Sequence, residues 1–188
     1  MFGRSLQWRL RLMARERIDT VPPVEDMLLG TTIGDRYAVE RIIGRGGMGV
    51  VYAGRHEELQ RPIAIKVLMP VWSTQPEAIG RFFQEARTAS SVGHPNIVDV
   101  YDLGRLPDER PYLVMPLLDG VTLSEYLEEH GPQKEERVVE LLSGVAGALD
   151  LMHTKGMVHR DIKPDNMMLV RREDGEETVK LLDFGLAA

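Results

Sequence analysis

Gly44-Arg45-Gly46-Gly47-Met48-Gly49-Val50-Val51-Tyr52-Ala53 is the stretch on which the fold turns. Its first six residues fit G-x-G-x-x-G, a pattern that also describes a dinucleotide-binding turn. In that other fold the glycines open a helix, whose N-terminal amides meet a pyrophosphate. Here Gly49 runs into Val50, Val51 and Tyr52, β-branched and aromatic residues that favour a strand. Tyr37–Ile43, on the other side, reads as a strand as well. Strand, glycines, strand makes a flap whose backbone amides can close over phosphates, and glycine is needed so that no side chain holds the backbone off the oxygens. No Gly-Lys-Ser/Thr follows, which excludes a Walker A loop. On this stretch alone, a plain glycine-rich hairpin turn remains the alternative.

Downstream, Ile63–Leu68 is a third strand, in which Ala64 and Lys66 share a face because the side-chain period is two. A lysine in so apolar a strand is costly unless it is paired. Residues 77–92 then change to helical spacing, with Ile79, Phe82, Phe83, Ala86 and Ala89 on one stripe. Glu85 lies beside that stripe and is the candidate partner of Lys66; a lysine snorkelling from a sheet edge is the plainer alternative. Ile97–Leu103 and Tyr112–Met115 read as two more strands around a Pro107-Asp108 turn. Thr122 and Glu125 have the spacing of a capping box opening a short helix. A long helix is predicted over 134–155, with Val138, Leu141, Leu142, Val145, Leu149 and Met152 on one face. Its uncharged centre, Leu141 to Leu149, predicts burial on several sides. Met167–Val170 and Val179–Leu182 read as a hairpin around Asp174-Gly175.

Two further segments carry chemistry: His159-Arg160-Asp161-Ile162-Lys163-Pro164-Asp165-Asn166 and Asp183-Phe184-Gly185. Together with Gly44–Val51 and Ala64-Ile65-Lys66, they put four motifs in one order: G-x-G-x-x-G-x-V, A-I-K, H-R-D-x-x-x-x-N and D-F-G. Over residues 35–188 the chain resembles protein kinases of the serine/threonine type. The flap wording and Asp119-Gly120-Val121-Thr122-Leu123 are most similar to the bacterial branch. The resemblance implies an α+β, protein-kinase-like fold. It has a complete N-terminal lobe (antiparallel sheet plus one helix) and only the first part of the helical C-terminal lobe. Residues 35–118 would form the N-lobe and hinge, and 119–188 the start of the C-lobe. The sequence given stops three residues after Gly185, before the A-P-E segment and remaining lower-lobe helices of that family.

The resemblance also implies roles. ATP and Mg²⁺ would be the cofactors, and a protein bearing serine or threonine the substrate. Lys66, oriented by Glu85, would hold the α- and β-phosphates. Asn166 and Asp183 would hold the metal, hard oxygen donors suiting that cation. Asp161 would accept the hydroxyl proton, and Lys163 would steady the γ-phosphate. Ile43, Gly44, Arg45, Gly46, Gly47, Met48 and Gly49 would cover the nucleotide, while Val51, Ala64 and Met168 would sandwich adenine. Met115 would be the gatekeeper before the hinge Pro116-Leu117-Leu118. Pro116 stands where the family usually has an acidic residue, but keeps the carbonyl that adenine needs; Leu118 would supply the N–H. His159 and Phe184 would be packing residues, and Arg160 would pair with a phosphorylated activation-loop residue. His56, His94, His130 and His153 read as surface, turn or capping residues. The alternative function is a shortened kinase-like module that binds nucleotide or a partner without transfer.

Composition agrees and excludes other classes. The chain has 188 residues, 43% of them hydrophobic, and no cysteine, which excludes a disulfide framework, thiolate metal sites and a cysteine nucleophile. No window approaches eighteen consecutive apolar residues, so no membrane segment is predicted, and the expected location is cytoplasmic. The net charge of −6 argues against a nucleic-acid partner. Residues 1–18 nonetheless carry five arginines and one glutamate, leaving −10 on the other 170 residues. Residues 1–34 are expected to be a basic, flexible extension and linker. For its start, a loose tail or upstream start, a docking helix and a membrane-surface helix stay open.

Overall fold

The computed structural model describes residues 27–172 and 175–182, so readings that fall on residues 1–26, on Asp174 and on Asp183 to Ala188 lie outside it. Six strands form the first sheet: β1 (Thr32–Ile33), β2 (Tyr37–Arg45), β3 (Gly49–His56), β4 (Arg61–Leu68), β5 (Asp102–Arg105) and β6 (Pro111–Pro116). Every pairing is antiparallel, in the order β1-β2-β3-β4-β6-β5. Alternation gives the sheet two apolar faces. Val50 and Tyr52, Ile63, Ile65 and Val67, and Tyr112 and Val114 join Ile33, Tyr37, Val39 and Leu106 in one cluster. Leu68 and Leu113, from the opposite face, pack on Phe82 and Ala86.

Those two residues belong to α2 (Pro76–Val92), which follows a single-turn helix, α1 (Pro70–Ser73). Pro76 lacks an N–H where helices need none. Gly93 ends the helix at φ 67°, a left-handed cap that favours glycine. Phe82, Ala86 and Ala89 of the predicted stripe are buried; Ile79 and Phe83 lie half-buried at its edge.

A second sheet, β7 (Gly120–Thr122), β8 (Met167–Arg171) and β9 (Glu177–Leu181), lies beside α3 (Leu123–His130) and α4 (Glu135–Thr154). The β8–β9 hairpin matches expectation; β7 beside it has no sequence signature, three residues being too few for a periodic signal. The capping box is present. Thr122 Oγ1 accepts from Glu125 N at 3.1 Å, and Glu125 Oε2 accepts from Thr122 N at 3.0 Å. Such a cap contributes about 1 kcal/mol.

Four expectations need correction. Ile97–Leu103 is not one strand: Ile97 makes an isolated parallel bridge with Leu181, and the strand proper is Asp102–Arg105. Asn96 explains the break. Its carbonyl accepts from Leu181 N at 2.7 Å and its Nδ2 donates to Val179 O at 2.8 Å, so the chain is captured by β9 before it reaches the first sheet. Helix α4 buries Leu141, Val145, Ala148 and Met152, whereas Val138 is 41% exposed. It is not covered on several sides either, since Val139 is 59% exposed and Ser143, Ala146 and Gly147 are open. One face meets Leu169, Val179 and Leu181, and the other faces solvent. Finally, the sheet starts at Thr32, inside the stretch read as linker, because Ile33 is buried against the first core.

The α4 cluster also contains Ala89, Val92 and Ile97, so it joins α2 to the second sheet. Gly144 permits this approach: a Cβ there would lie 2.4 Å from Asn96 Nδ2. Among the described residues, no helix is long and apolar enough to cross a membrane.

Candidate functional site

The site has an upper and a lower group. In the upper one, strand register fixes the neighbours. Lys66 lies opposite Val51 on one side and Leu113 on the other, and Ala64 lies opposite Ala53 and Met115. Directly opposed residues share a face, so Val51, Ala64, Lys66, Leu113 and Met115 present one surface. Lys66 Nζ reaches Glu85 Oε1 on α2 at 3.0 Å, with the two side chains only 11% and 16% exposed. The predicted pair is therefore formed, between groups 19 residues apart in sequence. Glu85 and Met115 also line a small cavity with Ala86, Val98 and Leu113, between this face of the sheet and α2. Leu117 and Leu118, following β6, are half-buried.

Above this surface lies the glycine turn. Gly46 N donates to Gly49 O at 2.9 Å and closes it, and Met69 N donates to Met48 O at 2.9 Å. A Cβ at Gly47 would meet nothing within 4 Å, whereas one at Gly49 would lie 2.7 Å from Val67 O. Gly49 is thus demanded by packing, while Gly46 and Gly47 leave bare backbone at the turn. The β2–β3 register slips between Ile42 and Gly44, which makes Ile43 a bulge; its side chain is 38% exposed. Arg45 and Met48 are exposed on the same turn.

In the lower group, a loop and a 3₁₀ turn (Pro164–Asn166) gather polar groups at one carboxylate. Asp161 Oδ2 accepts from Lys163 Nζ at 2.7 Å and from Asn166 Nδ2 at 2.7 Å. Asn166 Nδ2 also donates to Asp161 O at 2.9 Å. The Lys163 hydrogen bond, with that from Asn166, holds the Asp161 carboxyl below its ordinary value of 3.8, against a smaller opposing effect of burial. Arg160 takes φ 65°, uncommon for a non-glycine residue. That turn lets Asp161 N donate to His159 Nδ1 at 3.4 Å, while the other ring nitrogen, Nε2, lies 3.1 Å from Leu182 O. With Nδ1 accepting, Nε2 carries the proton, so His159 links the loop to the residue before Asp183. Leu182 N donates to Asn166 O at 2.8 Å and completes the tie.

Asn166 is 9% exposed and its amide N–H₂ is turned to Asp161, which leaves Oδ1 as a hard-oxygen donor. Among the described residues, no three acidic or histidine side chains form a ready metal cage. A single hard-oxygen donor such as Asn166 Oδ1 fits the chemistry of Mg²⁺, which takes one or two protein oxygens and completes its shell with phosphates and water. Asp183, the other expected donor, lies outside the described residues.

The structure brings Lys66, Glu85, Val51, Ala64 and Met115 together, and likewise Asp161, Lys163 and Asn166. Met168 sits on β8 opposite Thr122 and Lys180, half-buried. The remaining histidines fit their modest expectation: His94 Nδ1 accepts from Asn96 N at 3.1 Å, and His130 stacks on Tyr126. Sequence reasoning missed Asn96 and Trp72. Asn96 follows a His-Pro turn, but nothing local signals its partners 82 and 83 residues away.

Comparison with known proteins points to one family. The sequence pattern of the protein kinase domain matches residues 37–188. The serine/threonine-protein kinase Pkn1 of Myxococcus xanthus is 44% identical over 174 residues, 93% of this chain and 24% of the relative. PrkC of Bacillus subtilis is 40% identical over 161 residues, 86% of this chain and 24% of that protein. The chain thus spans about a quarter of the length of these relatives. Among solved structures, the Mycobacterium tuberculosis PknI kinase domain superposes with a TM-score of 0.69 at 32% identity, covering 85% of this chain and 62% of the other.

Proposed function

Because this chain belongs to the protein kinase family, we propose that it carries the nucleotide site of a bacterial-type serine/threonine protein kinase. It would transfer the γ-phosphoryl of ATP to protein hydroxyls. The single observation that carries this reading is the Lys66–Glu85 pair, held nearly dry on the sheet face that Val51, Ala64 and Met115 share. A lysine desolvated to this degree and aimed by a carboxylate is a fixed cation, suited to polyanionic phosphate. The bare backbone at Gly47 would let phosphates lying between the turn and Lys66 approach the turn's remaining amides, Gly46 N being given to Gly49 O. Adenine would lie against Val51 and Ala64, with Met168 beneath and Met115 limiting depth; the Pro116 carbonyl and Leu118 N–H would read its edge.

Phosphoryl transfer asks a protein mainly for position and charge neutralisation. Asp161, kept ionised by Lys163 and Asn166, would accept a hydrogen bond from the substrate hydroxyl and aim its oxygen at the γ-phosphorus. A carboxyl whose pKa is lowered is a weaker base. It therefore orients the hydroxyl first and takes the proton as the new P–O bond forms and the bond to the β-phosphate oxygen breaks. Lys163 would release part of its hold on Asp161 to the γ-phosphate. Asn166 Oδ1, with Asp183, would hold Mg²⁺, which when bound neutralises the phosphate oxygens.

The test is thermal. Mg-ATP at a hundredfold excess over its dissociation constant contributes about 2.7 kcal/mol, a rise of roughly 5–11 °C for a domain of this size. Lys66→Met should remove that rise. A chain whose melting ignores Mg-ATP would refute the nucleotide site, and one that binds without transferring to any protein hydroxyl would refute the transfer.

A further inference from the structure

Helix α1 carries one side chain that none of the motifs accounts for. Trp72 packs against the cluster of Leu68, Phe82, Ala86 and Leu113. Its indole Nε1 donates to the Gly47 carbonyl at 2.7 Å. At the tip it holds, a Cβ at Gly47 would touch nothing within 4 Å among the described residues, so no side-chain packing steadies that residue. Glycine backbone is also the most mobile backbone there is. The turn is therefore fixed from outside, by Met69 N on Met48 O and by this one side chain.

We propose that Trp72 is a positioning residue: its indole N–H fixes the Gly47–Met48 peptide and ties the glycine turn to the helix that carries Glu85. The inference rests on reading that turn as the nucleotide flap. A trans peptide points its C=O and the following N–H in opposite directions, and no peptide among the described residues is cis. Capturing the Gly47 oxygen therefore also fixes the direction of the Met48 N–H. Indole is a donor only, so it can hold a carbonyl but cannot compete with phosphate for the amide. The same ring packs on the cluster that includes Phe82, three residues before Glu85 on α2. Flap and ion pair thus share one support.

Trp72→Phe keeps an aromatic ring on the cluster and deletes the N–H; Trp72→Ala deletes both. Both are compared with the unaltered 188-residue chain. A net neutral hydrogen bond corresponds to a roughly 2- to 12-fold change in an equilibrium constant. Without nucleotide, hydrogen exchange at Gly46–Gly49 should rise by that factor in Trp72→Phe, with Ile63–Leu68 and the melting temperature unchanged. The Mg-ATP dissociation constant should rise by a similar factor. In Trp72→Ala, exchange should also rise in the first turns of α2. Unchanged flap exchange and unchanged Mg-ATP affinity in Trp72→Phe would overturn the role of the N–H. Weakened binding in Trp72→Ala alone would overturn it too, because packing would then suffice. If the unaltered chain binds no Mg-ATP, the nucleotide reading itself falls and takes this role with it, an outcome distinct from normal binding by both variants.

Discussion

Removing each member of the Lys66–Glu85 pair, and then both, measures what the nucleotide-facing lysine owes to its partner. The groups are 3.0 Å apart, and their side chains are 11% and 16% exposed. At an effective dielectric of about 20, two unit charges at that separation attract by about 5.5 kcal/mol. Desolvation of both ions takes back much of this, and a pair with some residual water falls below the roughly 3–5 kcal/mol seen on breaking fully buried pairs. Glu85→Gln, which keeps the shape and removes the charge, should therefore destabilise by about 2–3 kcal/mol. That is roughly 4–12 °C in melting temperature. Lys66→Met should cost somewhat less, because its flexible chain fills the same channel. The double variant should fall short of the sum, leaving a coupling of about 1.5–3 kcal/mol. Urea or thermal unfolding of the four proteins gives the cycle. Coupling below about 0.5 kcal/mol would show that the contact is incidental, and the case for an aimed cation would fail with it.

Two further outcomes are expected. Asp161→Asn should lower phosphoryl transfer by roughly 10²–10⁴-fold while leaving Mg-ATP affinity nearly unchanged, measured by comparing turnover with nucleotide titration. Since the folded pKa of Asp161 lies below 3.8, its carboxylate persists as pH falls through the ordinary carboxylate range. Its contribution to stability is likewise present above the unfolded value and lost only below it. An acid limb at neutral pH that vanishes in Asp161→Asn would contradict this. At the glycine turn, Gly49→Ala should destabilise by about 1–3 kcal/mol, because its Cβ would press on Val67 O at 2.7 Å. Gly47→Ala, facing open space, should melt within about 0.5 kcal/mol of the parent. Equal effects at the two positions would show that the turn's packing is misread.

The sequence by itself determined the period of each long element and the chemistry at the ends of the motifs. Alternation in Ile63–Leu68 and helical spacing after Pro76 are local properties, readable because the backbone repeats impose them. So is the capping box at Thr122 and Glu125, whose partners lie three residues apart. Even the Lys66–Glu85 pair was legible, since a lone charge in an apolar strand demands a partner and α2 supplies the next acidic group beside its buried stripe. What tertiary structure alone decided depends on contacts that no spacing encodes. Asn96 draws Ile97 onto Leu181 and out of the expected strand. Val138 stays exposed because α4 meets the second sheet with one face only. Trp72 finds the Gly47 carbonyl across 25 residues. In each case a polar group or an apolar surface is satisfied by whatever the fold brings near it, and a linear chain does not state what that will be.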